Sequence, residues 1–217
     1  MRLDNDIKRD VDSELKWNPE IDSTDIATKV TDGAVALYGF ARNLHEKHQA
    51  ELSVKRINGV GAVANDLAIR PRPEAKISDP QIAREALAAL KMELPHAWER
   101  IRPMVRDGRV VLEGVAYWQY ERTGAERALR RVPGVLAIRN SIAIQPAILD
   151  GDIASAIQAA FARSAVVDPH HVLADVAGSK VTLTGVVRSW VERGAANEAA
   201  WSAPGVTEVT DLLTIRR

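Results

Sequence analysis

Three stretches of this chain are copies of one another, and no other feature limits its fold so strongly. Residues 58–69 read NGVGAVANDLAI, residues 133–144 read PGVLAIRNSIAI and residues 204–215 read PGVTEVTDLLTI. Adding 75 to a position in the first copy, and then 71, lands on the counterparts without a gap. Ile7, Ile82 and Ile153 align, as do Val30, Val105 and Val176, Leu37, Leu112 and Leu183, and Ala50, Ala125 and Ala196. A fixed internal period marks one supersecondary unit used repeatedly, so the 217 residues are read as three small domains rather than one large one. The boundaries that follow are 1–70, 77–145 and 148–217. Short proline-marked links at 71–78 and 146–149 predict units packed against each other.

Within each unit the apolar period changes in a fixed order. Ile7, Val11, Leu15, then Ile82, Ala86, Leu90, then Ile153, Ile157, Phe161 have helical spacing and predict a first amphipathic helix. Two short runs around a turn follow: IATKVTDGAVALYG, IRPMVRDGRVVLEG and VLADVAGSKVTLTG. Asp-Gly between apolar runs signals a hairpin whose central residues need positive φ, so Gly33 and Gly108 are structural; Gly-Ser in the third copy is the weaker variant. The second strand ends on Gly39, Gly114 and Gly185. A second helix, with Ala50 and Val54, Ala125 and Leu129, or Ala196 and Ala200 inward, stops at the turns bearing Gly59, Gly134 and Gly205. The repeated stretch is therefore helix end, turn and last strand. In that strand Asn65, Asn140 and Asp211 share the inward face with apolar residues, and each is expected to bond neighbouring backbone. The fold class is α+β: three tandem α-β-β-α-β units, each a three-stranded mixed sheet covered on one face by two helices.

This pattern resembles the BON domain family, named for a bacterial osmotically inducible periplasmic protein and nodulation proteins. The residues that carry the resemblance are the strands ending in glycine (VALYG, VVLEG, VTLTG), the alanine within helix two, and Gly-Val followed by Val or Ile, Asn or Asp, and an apolar pair. It spans nearly the whole chain three times. The resemblance implies the α-β-β-α-β fold and a role at phospholipid surfaces, often in stress and envelope functions.

No catalytic or cofactor-binding set emerges. Cysteine is absent, which removes disulfides, thiolate metal sites and a Cys nucleophile. There is no Gly-rich phosphate loop, nucleophile elbow or zinc-type His-Glu pair. His45 and His48 lie three apart on a helix and His170-His171 in a loop, without a third ligand at motif spacing. A non-enzymatic protein with no metal and no cofactor is expected. No run approaches the roughly 18 to 20 apolar residues that span a bilayer, so no transmembrane segment is expected. The opening MRLDNDIKRDVDSELKWN alternates charges where a signal peptide needs an apolar run. The expectation for the chain as written is cytoplasmic, with a periplasmic location as the alternative the family suggests.

Net charge is zero but uneven: residues 71–146 are net +4 between flanks of −2 each. A local field follows local charge, so one anion-facing surface is expected on a neutral molecule. The excess gathers in YWQYERTGAERALRRVPG, where Arg127, Arg130 and Arg131 should point away from the core and Tyr117, Trp118 and Tyr120 stand at the helix start. These are the candidates for contact with an anionic phospholipid surface; a neutral chain without a reading motif disfavours nucleic acid. The alternative partner is a protein. For that, the helix IASAIQAAFARSAVV leaves a small outer face of Ser155, Ala159 and Ala162, with Trp201 expected to be exposed.

Overall fold

The computed structural model describes residues 2–70, 77–145 and 152–216; most of both links lies outside them. Its contacts group into two compact units, residues 1–114 with 123–141, and residues 115–122 with 142–217.

The first repeat shows the plan. Helix α1 (Asp4–Trp17) buries Ile7, Val11 and Leu15. Strands β1 (Ile26–Thr31) and β2 (Ala34–Ala41) form an antiparallel hairpin with Val30 opposite Val35. Helix α2 (Leu44–Lys55) leads to β3 (Ala62–Asn65) and β4 (Ala68–Ile69), both parallel to β2, which is thus the central strand of a mixed sheet. Val35, Leu37 and Ala41 on β2 alternate inward and join the α1 stripe, Ala50, Val54 and Leu67 in one core.

The second repeat places α3 (Asp79–Glu93), β5 (Ile101–Arg106), β6 (Arg109–Ala116), α4 (Gln119–Arg130) and β7 (Ala137–Ile144) in the same order, with strand order β5-β6-β7. The third follows with α5 (Ile153–Arg163), β8 (Val172–Ala177), β9 (Lys180–Val187), α6 (Trp190–Trp201), β10 (Glu208–Asp211) and β11 (Thr214–Ile215). Ile153, Ile157 and Phe161 are buried there beside Val181, Leu183, Ala196 and Ala200. The α+β class and the α-β-β-α-β order are as the sequence indicates, except that the last strand is divided in two in the first and third repeats, whose sheets have four strands rather than the expected three.

Turn chemistry also follows the sequence. Asp32 and Gly33 have φ of 51° and 73°, Asp107 and Gly108 of 50° and 70°, which is the two-residue type I′ pattern. In the third repeat Gly178 takes φ 63° while Ser179 does not turn positive, matching a II′ turn. A feature the apolar pattern does not reveal is that α1 and α3 hold these turns. Asp4 accepts from the backbone N–H of Asp32 (2.8 Å) and Gly33 (3.0 Å), and Asp79 from those of Asp107 (2.7 Å) and Gly108 (2.9 Å). A carboxylate at a helix start, favoured by the helix dipole, thereby satisfies two turn amides.

The glycines that end the second strand have a steric reason. Gly39, Gly114 and Gly185 have φ of 107°, 127° and 129°, and a Cβ at each would stand 2.0 Å from the carbonyl oxygen of Asp25, Arg100 or His171. Only a residue without a side chain lets the first strand enter that close.

Candidate functional site

Each second helix begins over a buried carboxylate. Glu46, Glu121 and Glu192 occupy the same position in the three repeats and are all buried. Asn43 accepts from the Glu46 N–H (2.8 Å) and Ser189 from the Glu192 N–H (3.2 Å), the forward half of a capping box. The glutamates reach back across the preceding loop. Glu46 accepts from the backbone N–H of Asp22 (2.6 Å) and Arg42 (2.5 Å) and pairs with the Arg42 guanidinium at 2.7 Å. Glu192 accepts from the N–H of Asp168 (3.1 Å) and Arg188 (2.7 Å) and pairs with the Arg188 side chain at 3.2 Å. Burial opposes the charged form of both, but these hydrogen bonds outweigh it and hold both carboxyls below their ordinary range. Glu121 accepts from the N–H of Tyr117 (2.7 Å) and Trp118 (3.3 Å). At the arginine and cap positions of its neighbours, the second repeat carries Tyr117 and Trp118. The acidic triplet stands in the sequence at the same 75 and 71 offsets, but a glutamate at a helix start reads there as a solvated charge.

The inward polar residue of the last strand belongs to a second network. The Asn65 side chain donates to the Lys47 carbonyl (2.9 Å) and the Glu51 carboxylate (3.4 Å), and accepts from the Leu67 N–H (3.4 Å) between β3 and β4. Asn140 donates likewise to Glu126 at 3.4 Å. In the third repeat acid and amide trade places: Asn197 on α6 donates to Asp211 (3.3 Å), which also accepts from Arg193 (2.9 Å). Glu51 holds Lys55 and Glu126 holds Arg130, each one helical turn on, at 2.5 and 2.6 Å.

Arg127, Arg130 and Arg131 do not form the open face expected of them. Arg127 pairs with Glu93, and Arg131 lies 3.6 Å from Glu20 of the first repeat. Both are exposed, but the Arg130 side chain is only 22% exposed. The reason is local: Arg130 lies toward α2 of the first repeat. There His48 is held below its ordinary pKa by burial and then by the Arg130 charge, against the opposing pull of Glu51 and Glu126. Tyr117, Trp118 and Tyr120 are exposed as expected. Tyr120 lies on α4 with Arg127 and Arg130, while Tyr117 and Trp118 precede its first residue and Arg131 follows its last.

The outer positions of α5 are as small and open as the sequence suggests, with Ser155, Ala159 and Ala162 exposed. Trp201 differs from expectation. It is half-buried against the third core, because its position, like those of Lys55 and Arg130, lies at the edge of the helix's covered stripe. Two of the histidines have a carboxylate partner: His45 lies 3.1 Å from Glu20 and His171 3.0 Å from Asp168. Among the described residues no helix is long and apolar enough to cross a membrane, and no three His, Cys, Asp or Glu side chains gather as a metal site.

Comparison with known proteins matches the three units one by one. The BON domain model matches residues 3–71, 78–146 and 149–217. The chain is 27% identical over 143 residues to Osmotically-inducible protein Y of Escherichia coli (strain K12), covering 64% of this chain and 71% of that protein. Among solved structures, CdsD, a structural protein of the type III secretion system of Chlamydia trachomatis, aligns over 97% of this chain and 92% of its own, at 16% identity and a TM-score of 0.27. Three matches that together cover almost every residue, at the spacing of the internal repeat, show that the chain belongs to the BON domain family.

Proposed function

We propose that this chain is a non-catalytic module that binds anionic phospholipid surfaces through its middle repeat, in a stress-related role. The observation that carries the reading is the segregation of charge, with residues 71–146 at net +4 between two acidic neighbours. Such a distribution turns one domain of a neutral molecule toward a negative surface while its flanks are repelled. Exposed Arg127 and Arg131 add to that charge, and exposed Trp118 and Tyr120 are side chains of the kind that sit at headgroup level. Similarity to Osmotically-inducible protein Y supports the stress-related part.

Cosedimentation of the whole chain tests this, with vesicles of phosphatidylcholine alone and of phosphatidylcholine mixed with phosphatidylglycerol. Binding to the anionic vesicles is expected, fading as salt shortens the Debye length to about 8 Å at physiological ionic strength. Equal binding to both vesicles, or to neither at low salt, favours a second reading, a protein-interaction scaffold. That reading draws on the open Ser155, Ala159 and Ala162 face of α5.

A further inference from the structure

The middle repeat has a second group of arginines, on the face of its sheet that no helix of the repeat covers. Strand alternation sends Arg102, Met104 and Arg106 of β5 outward while Ile101 is buried, and sends Arg109 and Glu113 of β6 outward while Val110 and Leu112 are buried. Arg139 of β7 is exposed too, and Asn140 beside it turns inward to Glu126. The hairpin register puts Arg106 opposite Arg109, Met104 opposite Val111 and Arg102 opposite Glu113. In the first repeat the counterparts of Val111 and Arg139, Ala36 and Ala64, are themselves paired. The four arginines thus stand on three neighbouring strands, Arg106 and Arg109 directly paired about 5 Å apart across the hairpin and Arg102 about 13 Å from Arg106 along β5 with Met104 between them.

These cations are less neutralised than those of α4. Arg127, Arg130 and Arg131 each have a carboxylate within ion-pair distance. Among the described residues Arg102, Arg109 and Arg139 have none, and Arg106 has only its exposed neighbour Asp107 at 3.8 Å. Like charges directly opposed across a hairpin are destabilising, so the Arg106 and Arg109 pair is a local cost that an anion would relieve. The fold does not ask for it. The four counterparts in the first repeat are Ala27, Thr31, Ala34 and Ala64, and in the third Leu173, Ala177, Lys180 and Thr210.

We infer that this sheet face of the middle repeat, bearing Arg102, Arg106, Arg109 and Arg139, is the surface that docks on the headgroup plane of an anionic bilayer. The inference rests on the proposed phospholipid binding and names its surface. A pleated sheet offers a broad array rather than the protruding helix or ribbon that enters a duplex groove. It also has no aromatic among its outward residues on which unpaired bases could stack. Met104, 52% exposed between the arginine rows, offers a flexible apolar tip to the spaces among headgroups.

The test uses the full chain, the same two vesicle compositions, and three variants whose fold is checked by circular dichroism. Each basic side chain near an anionic surface strengthens binding about fivefold, so Arg102→Gln, Arg106→Gln, Arg109→Gln and Arg139→Gln together should weaken it several hundred-fold. The same four changed to Lys should retain most of it, a second variant that keeps the charge if the glutamines perturb folding. Arg127→Ala with Arg131→Ala should weaken binding far less than the glutamine set. If the wild-type chain binds neither vesicle, the phospholipid reading fails and this inference with it. If it binds anionic vesicles and the sheet variant binds equally well, the inference alone is overturned. Tighter binding to duplex DNA than to anionic vesicles, lost in the sheet variant, would assign the face to nucleic acid and overturn it as well.

Discussion

The first two repeats agree on one side of their sheets and disagree on the other. Inward, Val35, Leu37 and Ala41 face Val110, Leu112 and Ala116 as counterparts, and all six are buried. Outward, Ala27, Thr31 and Ala34 correspond to Arg102, Arg106 and Arg109. Burial dictates volume and polarity at the first set, where one methylene is worth about 0.8 kcal/mol, while water accepts nearly anything at the second. Shared residues therefore describe the scaffold, and the outward differences are where the repeats can acquire separate tasks. The buried glutamates sharpen the point. All three repeats keep the acid that braces helix and loop, but only the middle one replaces the arginine and the cap by exposed Tyr117 and Trp118.

The largest effect on the shared scaffold is expected at the glycines that end the second strand. Gly114→Ala would drive a Cβ to 2.0 Å from the Arg100 carbonyl at φ 127°, and Gly39→Ala does the same at Asp25. Backbone strain and collision together should cost more than about 3 kcal/mol, enough to unfold the repeat. Gly178→Ala, at φ 63° with no atom within 4 Å of the added carbon, should cost only about 1 kcal/mol. Urea unfolding checks both. Equal midpoints for Gly114→Ala and Gly178→Ala would mean the strand-end glycine is not part of a common scaffold.

A smaller effect is expected at the buried acids. Glu46→Ala leaves two backbone N–H groups and a guanidinium without their acceptor, at about 2 kcal/mol, and Glu192→Ala should match it. The pH dependence has a definite sign. Both carboxyls are depressed in the folded state, so their stabilisation is complete above the unfolded value of about 4.3 and is lost as pH falls through the lower folded value. Gln variants at these positions should flatten the acid limb of a stability profile below about pH 5. A limb as steep as wild type in both would remove these glutamates from the account.

Most of the scaffold was legible because burial repeats. A stripe such as Ile7, Val11 and Leu15 can point only to a core, and Asp-Gly between apolar runs can hardly be anything but a turn. The open surface was less legible for a physical reason. Helical periodicity located Arg127, Arg130 and Arg131 on the solvent side of α4, but it cannot say that Glu93 and Glu20 come from elsewhere to meet two of them, nor that the third lies half-buried against Glu126. Strand alternation did hold the sheet arginines. They are scattered through the sequence from 102 to 139, and only the β5-β6-β7 order gathers them. Trp201 escaped for a similar reason, since a position at the edge of a stripe accepts either a charge in water or a ring lying on the core.

The finest test of the comparison uses the trade between acid and amide. In the first repeat Glu51 on the helix faces Asn65 on the strand; in the third, Asn197 faces Asp211. Asn65→Asp removes the donor to the Lys47 carbonyl and sets a second carboxylate 3 to 4 Å from Glu51, where the amide now lies at 3.4 Å. Two acceptors facing each other in a half-buried site should cost about 1 kcal/mol near neutral pH. Adding Glu51→Asn restores one donor and one acid in the order the third repeat uses, with Lys47 at the position of Arg193 to supply the cation. The double variant should therefore recover most of the loss, and a double-mutant cycle should give a coupling of at least about 0.5 kcal/mol. Simple additivity would show that the two arrangements are not interchangeable solutions to one constraint, and that the third repeat's network depends on surroundings the first does not share.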